Sequence, residues 1–137
     1  MEVVIADSGF VVALANRSDQ RHAEVQPIYM QYPKIFLPQL ALVEVAYLIG
    51  RDVGISTVIK FLKGIPDSRF ELVESTDQDI DRTADILKQY ADSKVDFVDA
   101  SVMVIAERLK IKTILTIDRR DFSLLRPVHC QSFKLLP

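Results

Sequence analysis

Two short apolar runs, each closing on an aspartate, constrain this chain most. Val3-Val4-Ile5-Ala6 stops at Asp7, and Thr113-Ile114-Leu115-Thr116-Ile117 stops at Asp118. Runs this short and this rich in β-branched residues, with little polar alternation, suit strands buried on both faces, as in a parallel sheet. Ile35-Phe36-Leu37, bracketed by Pro33 and Pro38, reads as a third strand, and Phe70-Glu71-Leu72-Val73, after Gly64 and Pro66, as a fourth. A further edge strand is expected around Ser132-Phe133-Lys134.

Helical periodicity fills the intervals. Ser8 can cap a helix carrying Phe10, Val11, Leu14 and Ala15. A second helix is expected from near Ser18 and Asp19 through His22, Val25 and Ile28, bent at Pro27. Residues 39–49 form a nearly all-apolar helix that Gly50 should end, with Gly54 marking the turn into a helix over 56–63. An acidic-started helix over 77–90 has Ile80, Ala84 and Leu87 on one side, and one over 97–109 turns Ala100, Val104 and Leu109 inward. Short buried strands separated by helices predict an α/β fold of three layers, a mainly parallel sheet with helices on both faces. With 137 residues and neither a repeat nor a low-complexity tract, residues 1–137 read as a single domain.

Composition narrows the function. Hydrophobic residues make up 49% and charged residues 26%, so the chain can bury an ordinary core. A formal net charge of −2 argues against wrapping nucleic acid by bulk electrostatics, yet leaves room for a local basic patch. Cys130 is the only cysteine, which excludes an intrachain disulfide and suits a reducing cytoplasm. There is no basic leader and no apolar span near 20 residues, so neither export nor membrane insertion is expected.

The acids carry the chemistry. In an open α/β sheet, ligands bind beyond the carboxyl ends of the strands, where strand order reverses. Asp7 and Asp118 take such positions if their strands run parallel, although an aspartate there can also serve a turn or cap. Glu44 interrupts Leu40-Ala41-Leu42-Val43-Glu44-Val45-Ala46-Tyr47-Leu48-Ile49, and a lone carboxylate is costly to bury unless paired or bound to a cation. Its other readings are the rim of an interface or an ion pair with Arg51. Asp96 and Asp99 share the first turn of one helix, which fits a capping pair as well as two ligands. Five carboxylates without a histidine or cysteine partner suit hard cations, Mg²⁺ or Mn²⁺, rather than zinc. Such clusters activate water and stabilise charge in phosphodiester cleavage.

This ordered set resembles the PIN domains, and more closely the toxins of VapBC-type toxin–antitoxin pairs. The matching pieces are Val4-Ile5-Ala6-Asp7-Ser8, Glu44 in its apolar helix, Asp96-Phe97-Val98-Asp99-Ala100-Ser101, and Leu115-Thr116-Ile117-Asp118-Arg119-Arg120-Asp121-Phe122. They span essentially the whole chain. The resemblance implies an acidic pocket binding Mg²⁺ or Mn²⁺ and endonucleolytic cleavage of RNA by an activated water. By position, Asp7, Glu44 and Asp99 are its principal carboxylates, completed by Asp96 and Asp118. Ser8 and Thr116 stand beside them as supporting hydroxyls, and Asp121 packs the turn before Phe122.

The toxin reading adds a small antitoxin as partner, and the apolar helices over 39–49 and 56–63 offer a face for it or for a homodimer, unless they serve as core. Lys94, Arg119 and Arg120 flank the acids as candidate RNA contacts, and Arg17, Arg51, Lys60 and Lys63 are further cations. His22 and His129 lie beside no pocket acid in sequence and suit packing or capping; Cys130 is expected to be inert. Three other readings stand beside the toxin: a stand-alone PIN nuclease, a non-catalytic PIN-like binding module, and a phosphoacceptor receiver domain. A receiver wants paired acids after its first strand and a lysine after its last; here Ser8-Gly9 and Arg119-Arg120 occupy those places.

Overall fold

The three strongest apolar runs of the sequence become the middle of one sheet. In the computed structural model, which describes residues 2–137, the strands are β1 (Val4–Ala6), β2 (Ile35–Pro38), β3 (Phe70–Val73), β4 (Thr113–Leu115) and β5 (Lys134–Leu136). All pair in parallel, in the order β3-β2-β1-β4-β5. The mainly parallel sheet expected from the sequence is thus wholly parallel. Its order also differs from the 2-1-3-4-5 order of receiver domains, which removes that reading.

Among the described residues the helices are α1 (Ser8–Ala15), α2 (His22–Gln31), α3 (Ala41–Asp52), α4 (Ile55–Gly64), α5 (Asp77–Gln89), α6 (Phe97–Leu109) and α7 (Arg119–Leu124). Alternation along the strands divides the core in two. Val4, Ala6, Ile35, Leu37 and Leu115 face a cluster built with α1 to α4, while Ile5 and Ile114 face one built with α5, α6 and α7. These are the three layers. No described helix is long and apolar enough to cross a membrane.

Several boundaries differ from expectation for local reasons. The second helix starts at His22, because Asp19 takes up the preceding turn, its carboxylate accepting from the Arg21 amide at 2.7 Å and its carbonyl from the His22 amide at 3.0 Å. It then runs through Pro27. Gly50 does not end α3; it lies inside it, where an added Cβ would stand 3.6 Å from Val58 of α4. The turn falls at Gly54, as expected, where a φ of 108° is left-handed backbone that favours glycine. The last strong strand closes at Leu115, two residues short of Ile117, because the Thr116 hydroxyl accepts from the Asp118 amide at 3.0 Å and turns the chain out. The C-terminal strand lies at Lys134–Leu136, two residues beyond its expected place, in register with β4.

Two helix faces differ in part from expectation: Ala100 and Val104 of α6 are buried as expected and Leu87 of α5 packs half-buried against the core, while other positions depart from it. On α5 the inward residues are Asp79, Thr83 and Ile86, while Ile80 and Ala84 are exposed. That polar face can be buried because Arg108 of α6 bonds Asp79 at 3.0 Å and the Glu74 carbonyl at 2.8 Å, and Arg82 pairs with Glu107. On α6, residues Ala100 to Ala106 are all buried, but Leu109 is exposed. Arg108→Ala strips Asp79 of its cation inside this interface, so we expect a loss of about 2 kcal/mol, read from the urea midpoint. An unchanged midpoint would mean that solvent neutralises Asp79 unaided.

Candidate active site

The strand order reverses between β1 and β4, so the crevice at their carboxyl ends is where a site belongs. Asp7 follows β1 directly and holds the N-cap position of α1, yet its side chain makes no cap hydrogen bond. Instead Oδ1 lies 3.4 Å from Ser8 Oγ and Oδ2 accepts from Thr116 Oγ1 at 3.3 Å. Gly9 permits this closeness: a Cβ there would stand 3.1 Å from Ile117 Cγ1, so α1 rests against the turn that carries Thr116 and Asp118.

Asp99 comes from the opposite layer. It and Asp96 form a reciprocal capping box at the start of α6, the Asp99 amide donating to Asp96 Oδ1 at 2.9 Å and the Asp96 amide to Asp99 Oδ2 at 3.2 Å. The capping and ligand readings are therefore compatible, since each carboxylate keeps an oxygen free. Asp96 is exposed, and Asp99 is 7% exposed.

Glu44 reaches in from α3. It is half-buried, because Val43 and Tyr47 beside it are 77% and 66% exposed, so α3 does not bury it among apolar side chains as its sequence suggests. Nor does it pair with Arg51, which bonds Asp52. Its Oε1 accepts a hydrogen bond from Ser8 Oγ. An open groove of about 500 Å³ lined by Leu40, Val43, Glu44, Tyr47, Phe97 and Val98 adjoins it.

Electrostatics ties these acids together. Burial, then the negative charges of Glu44 and Asp96, push the Asp7 carboxyl up to about 7, against the opposing Ser8 amide and Thr116 hydroxyl. Burial and Asp7 raise Asp99 to about 8. Asp118, exposed at the N-cap of α7, joins through the Thr116 hydroxyl. Asp121 is a member that sequence reading assigned to packing. Burial and then its contact with Asp118 raise its carboxyl, and Asp96 also acts on it. The spacing of Asp118 and Asp121, three positions apart on one helical turn, is the signal available in the sequence.

The flanking cations differ. Lys94 and Arg120 are exposed, whereas Arg119 donates to the Leu135 and Pro137 carbonyls and fastens the last strand. His22 lies 2.9 Å from the Ala13 carbonyl and His129 2.6 Å from that of Ile111, both away from the acids.

Asp7 is 4% exposed, and among the described residues none of the five predicted acids forms an ion pair with lysine or arginine. The starts of α1 and α6 offer only partial positive charge. An all-oxygen donor set with Asp7 and Asp99 buried, and Glu44, Asp96 and Asp118 more open, fits a hard divalent ion. Among the described residues, though, no group of three such side chains already stands close enough to grip one. The acids surround the site in an open arrangement.

An α/β/α domain with carboxylates gathered at the switch point of a parallel sheet is the class that fold and site define. The sequence matches the PIN domain family over residues 4–126, and the chain belongs to that family. It is similar to Ribonuclease VapC26 of Mycobacterium tuberculosis (strain ATCC 25618 / H37Rv), 29% identical over 135 residues, covering 98% of this chain and all of that protein. Among solved structures it resembles M. tuberculosis VapC20, a Sarcin-Ricin loop cleaving toxin, at a TM-score of 0.79 and 19% identity, over 85% of this chain and 91% of that one. DNA-bound VapBC from Salmonella typhimurium aligns at a TM-score of 0.72 and 13% identity, over 98% and 97%.

Proposed function

We propose that this chain is an endoribonuclease, the toxin of a VapBC-type pair, which hydrolyses RNA in the cytoplasm with Mg²⁺ or Mn²⁺ held by Asp7, Glu44 and Asp99, and with Asp96 and Asp118 completing the pocket. The observation that carries this is the meeting of Asp7 and Asp99, two carboxylates from different layers that lack a counter-cation, both raised by burial, Asp7 further by Glu44 and Asp96 and Asp99 further by Asp7. The similarity to Ribonuclease VapC26 over nearly the full length supports RNA as substrate.

A divalent ion bound here supplies the activation of water and the charge stabilisation that phosphodiester hydrolysis needs. The protein's own residues do the rest. Asp7 and Asp99 present fixed oxygens from rigid elements, Ser8 and Thr116 hold carboxylates in place, and Asp96 and Asp118 line the rim where a phosphate arrives. Lys94 and Arg120, with Arg119 less free to move, are positioned to draw the RNA backbone toward that rim.

The exposed apolar face of α3 and α4, with Val43, Tyr47, Ile55 and Ile59, suits a homodimer or a small antitoxin. VapBC complexes among the similar structures support the antitoxin. Cleavage of single-stranded RNA should require Mg²⁺ or Mn²⁺, stop on addition of EDTA and return when the ion is restored. Cleavage that continues undiminished in EDTA contradicts the metal-assisted reading.

A further inference from the structure

Ser8 is buried at 3% exposure in the first turn of α1, where its backbone already serves the helix and its hydroxyl is free for other work. That hydroxyl carries one proton, and two carboxylates stand within its reach. Glu44 Oε1, from α3, accepts it; Asp7 Oδ1 lies farther off at 3.4 Å. Glu44 has no other side-chain hydrogen bond among the described residues and no ion pair. Its own helix leaves it half-exposed between Val43 and Tyr47, so a glutamate there would otherwise sample several rotamers toward solvent.

We infer that Ser8 is a positioning residue which pins Glu44 beside Asp7 and thereby makes Glu44 a working member of the metal site. The inference rests on the ribonuclease reading and deepens it. Two negative carboxylates in one crevice repel, and neither Asp7 nor Glu44 has a lysine or arginine partner among the described residues. A hydroxyl between them orients one oxygen of Glu44 and leaves its other oxygen free to ligate. Partners that orient ligands in this way typically account for about 10- to 100-fold in metal affinity. Thr116 plays the matching part on the far side of Asp7, bonding Oδ2 and the Asp118 amide together. Ser8 is distinguished by acting through Glu44.

The test is a double-mutant cycle read by Mn²⁺ titration of the purified full chain, with thermal melts of the metal-free proteins alongside. Ser8→Ala should weaken Mn²⁺ binding about tenfold or more in the presence of Glu44. In a Glu44→Ala background the same change should cost about twofold or less, because the group it positions has gone. A purely structural loss of the Ser8 side chain would weaken both backgrounds alike, and that result overturns the inference while leaving the metal site standing. No change on Ser8→Ala in either background also overturns it. Failure of the unsubstituted protein to bind Mn²⁺ overturns the ribonuclease reading and this inference with it.

Discussion

Asp7→Asn and Asp99→Asn should each lower RNA cleavage by on the order of 10³-fold or more while making the metal-free protein more stable above neutral pH. The two effects share one cause. Both carboxyls are buried next to other acids, Asp7 facing Glu44 and Asp96 and Asp99 facing Asp7, and their pKa values are pushed up to about 7 and about 8 from an ordinary 3.8. A folded chain that holds protons the unfolded chain releases loses stability as pH rises. The penalty is absent below about pH 4, grows between there and the raised values, and is complete above them. An asparagine carries no such penalty, so each variant should gain on the order of 2 kcal/mol at pH 8.5 and little at pH 4. Urea denaturation at the two pH values checks the stability, and a gel-based cleavage assay checks the activity. A variant that is inactive and also destabilised at pH 8.5 would point to a packing defect rather than loss of a ligand.

The second large effect is the response of the unsubstituted protein to metal. Mg²⁺ or Mn²⁺ that binds only the folded chain at 100 times its Kd stabilises it by about 2.7 kcal/mol. For a domain of this size that corresponds to a rise in Tm of roughly 10 °C. The rise should be largest near pH 8, where the carboxylates are ionised and mutually repelling, and should shrink toward pH 5 as protons compete with the ion for the same oxygens. Thermal melts across pH with and without Mn²⁺ read this directly. A rise of the same size at pH 5 and pH 8 would place the bound ion somewhere other than Asp7 and Asp99.

The sequence was most legible where burial is simple. Val4-Ile5-Ala6 is apolar without interruption, so it reads as a central strand, and Asp7 after it reads as a residue at the sheet's edge. Residues whose side chains meet the opposite expectation were harder. On α5 the buried face consists of Asp79, Thr83 and Ile86, and only the long reach of Arg108 from α6 makes such burial tolerable. No local pattern announces a partner 29 residues away. Glu44 illustrates the reverse case. Its apolar neighbours imply deep burial, yet the Val43 and Tyr47 side of α3 is exposed, and the contact that matters is with Ser8, far off in sequence.

The same reasoning explains the small errors of placement. Thr116 looks like strand, and its amide does extend the ladder to Leu136, but its hydroxyl bends the chain toward Asp118. The strand 134–136 is an edge element whose register is set by pairing with β4, information absent from its own residues. From sequence, Asp121 suits packing because Phe122 after it is so plainly core. The structure shows that the turn which buries Phe122 also brings Asp121 against Asp118.

Anomalous diffraction from crystals grown with Mn²⁺ near pH 8 tests the central claim most directly. A peak is expected at the carboxyl ends of β1 and β4, bonded to oxygens of Asp7, Asp99 and Glu44. Ordered carboxylates with no peak among them, or Mn²⁺ bound elsewhere on the chain, would contradict it.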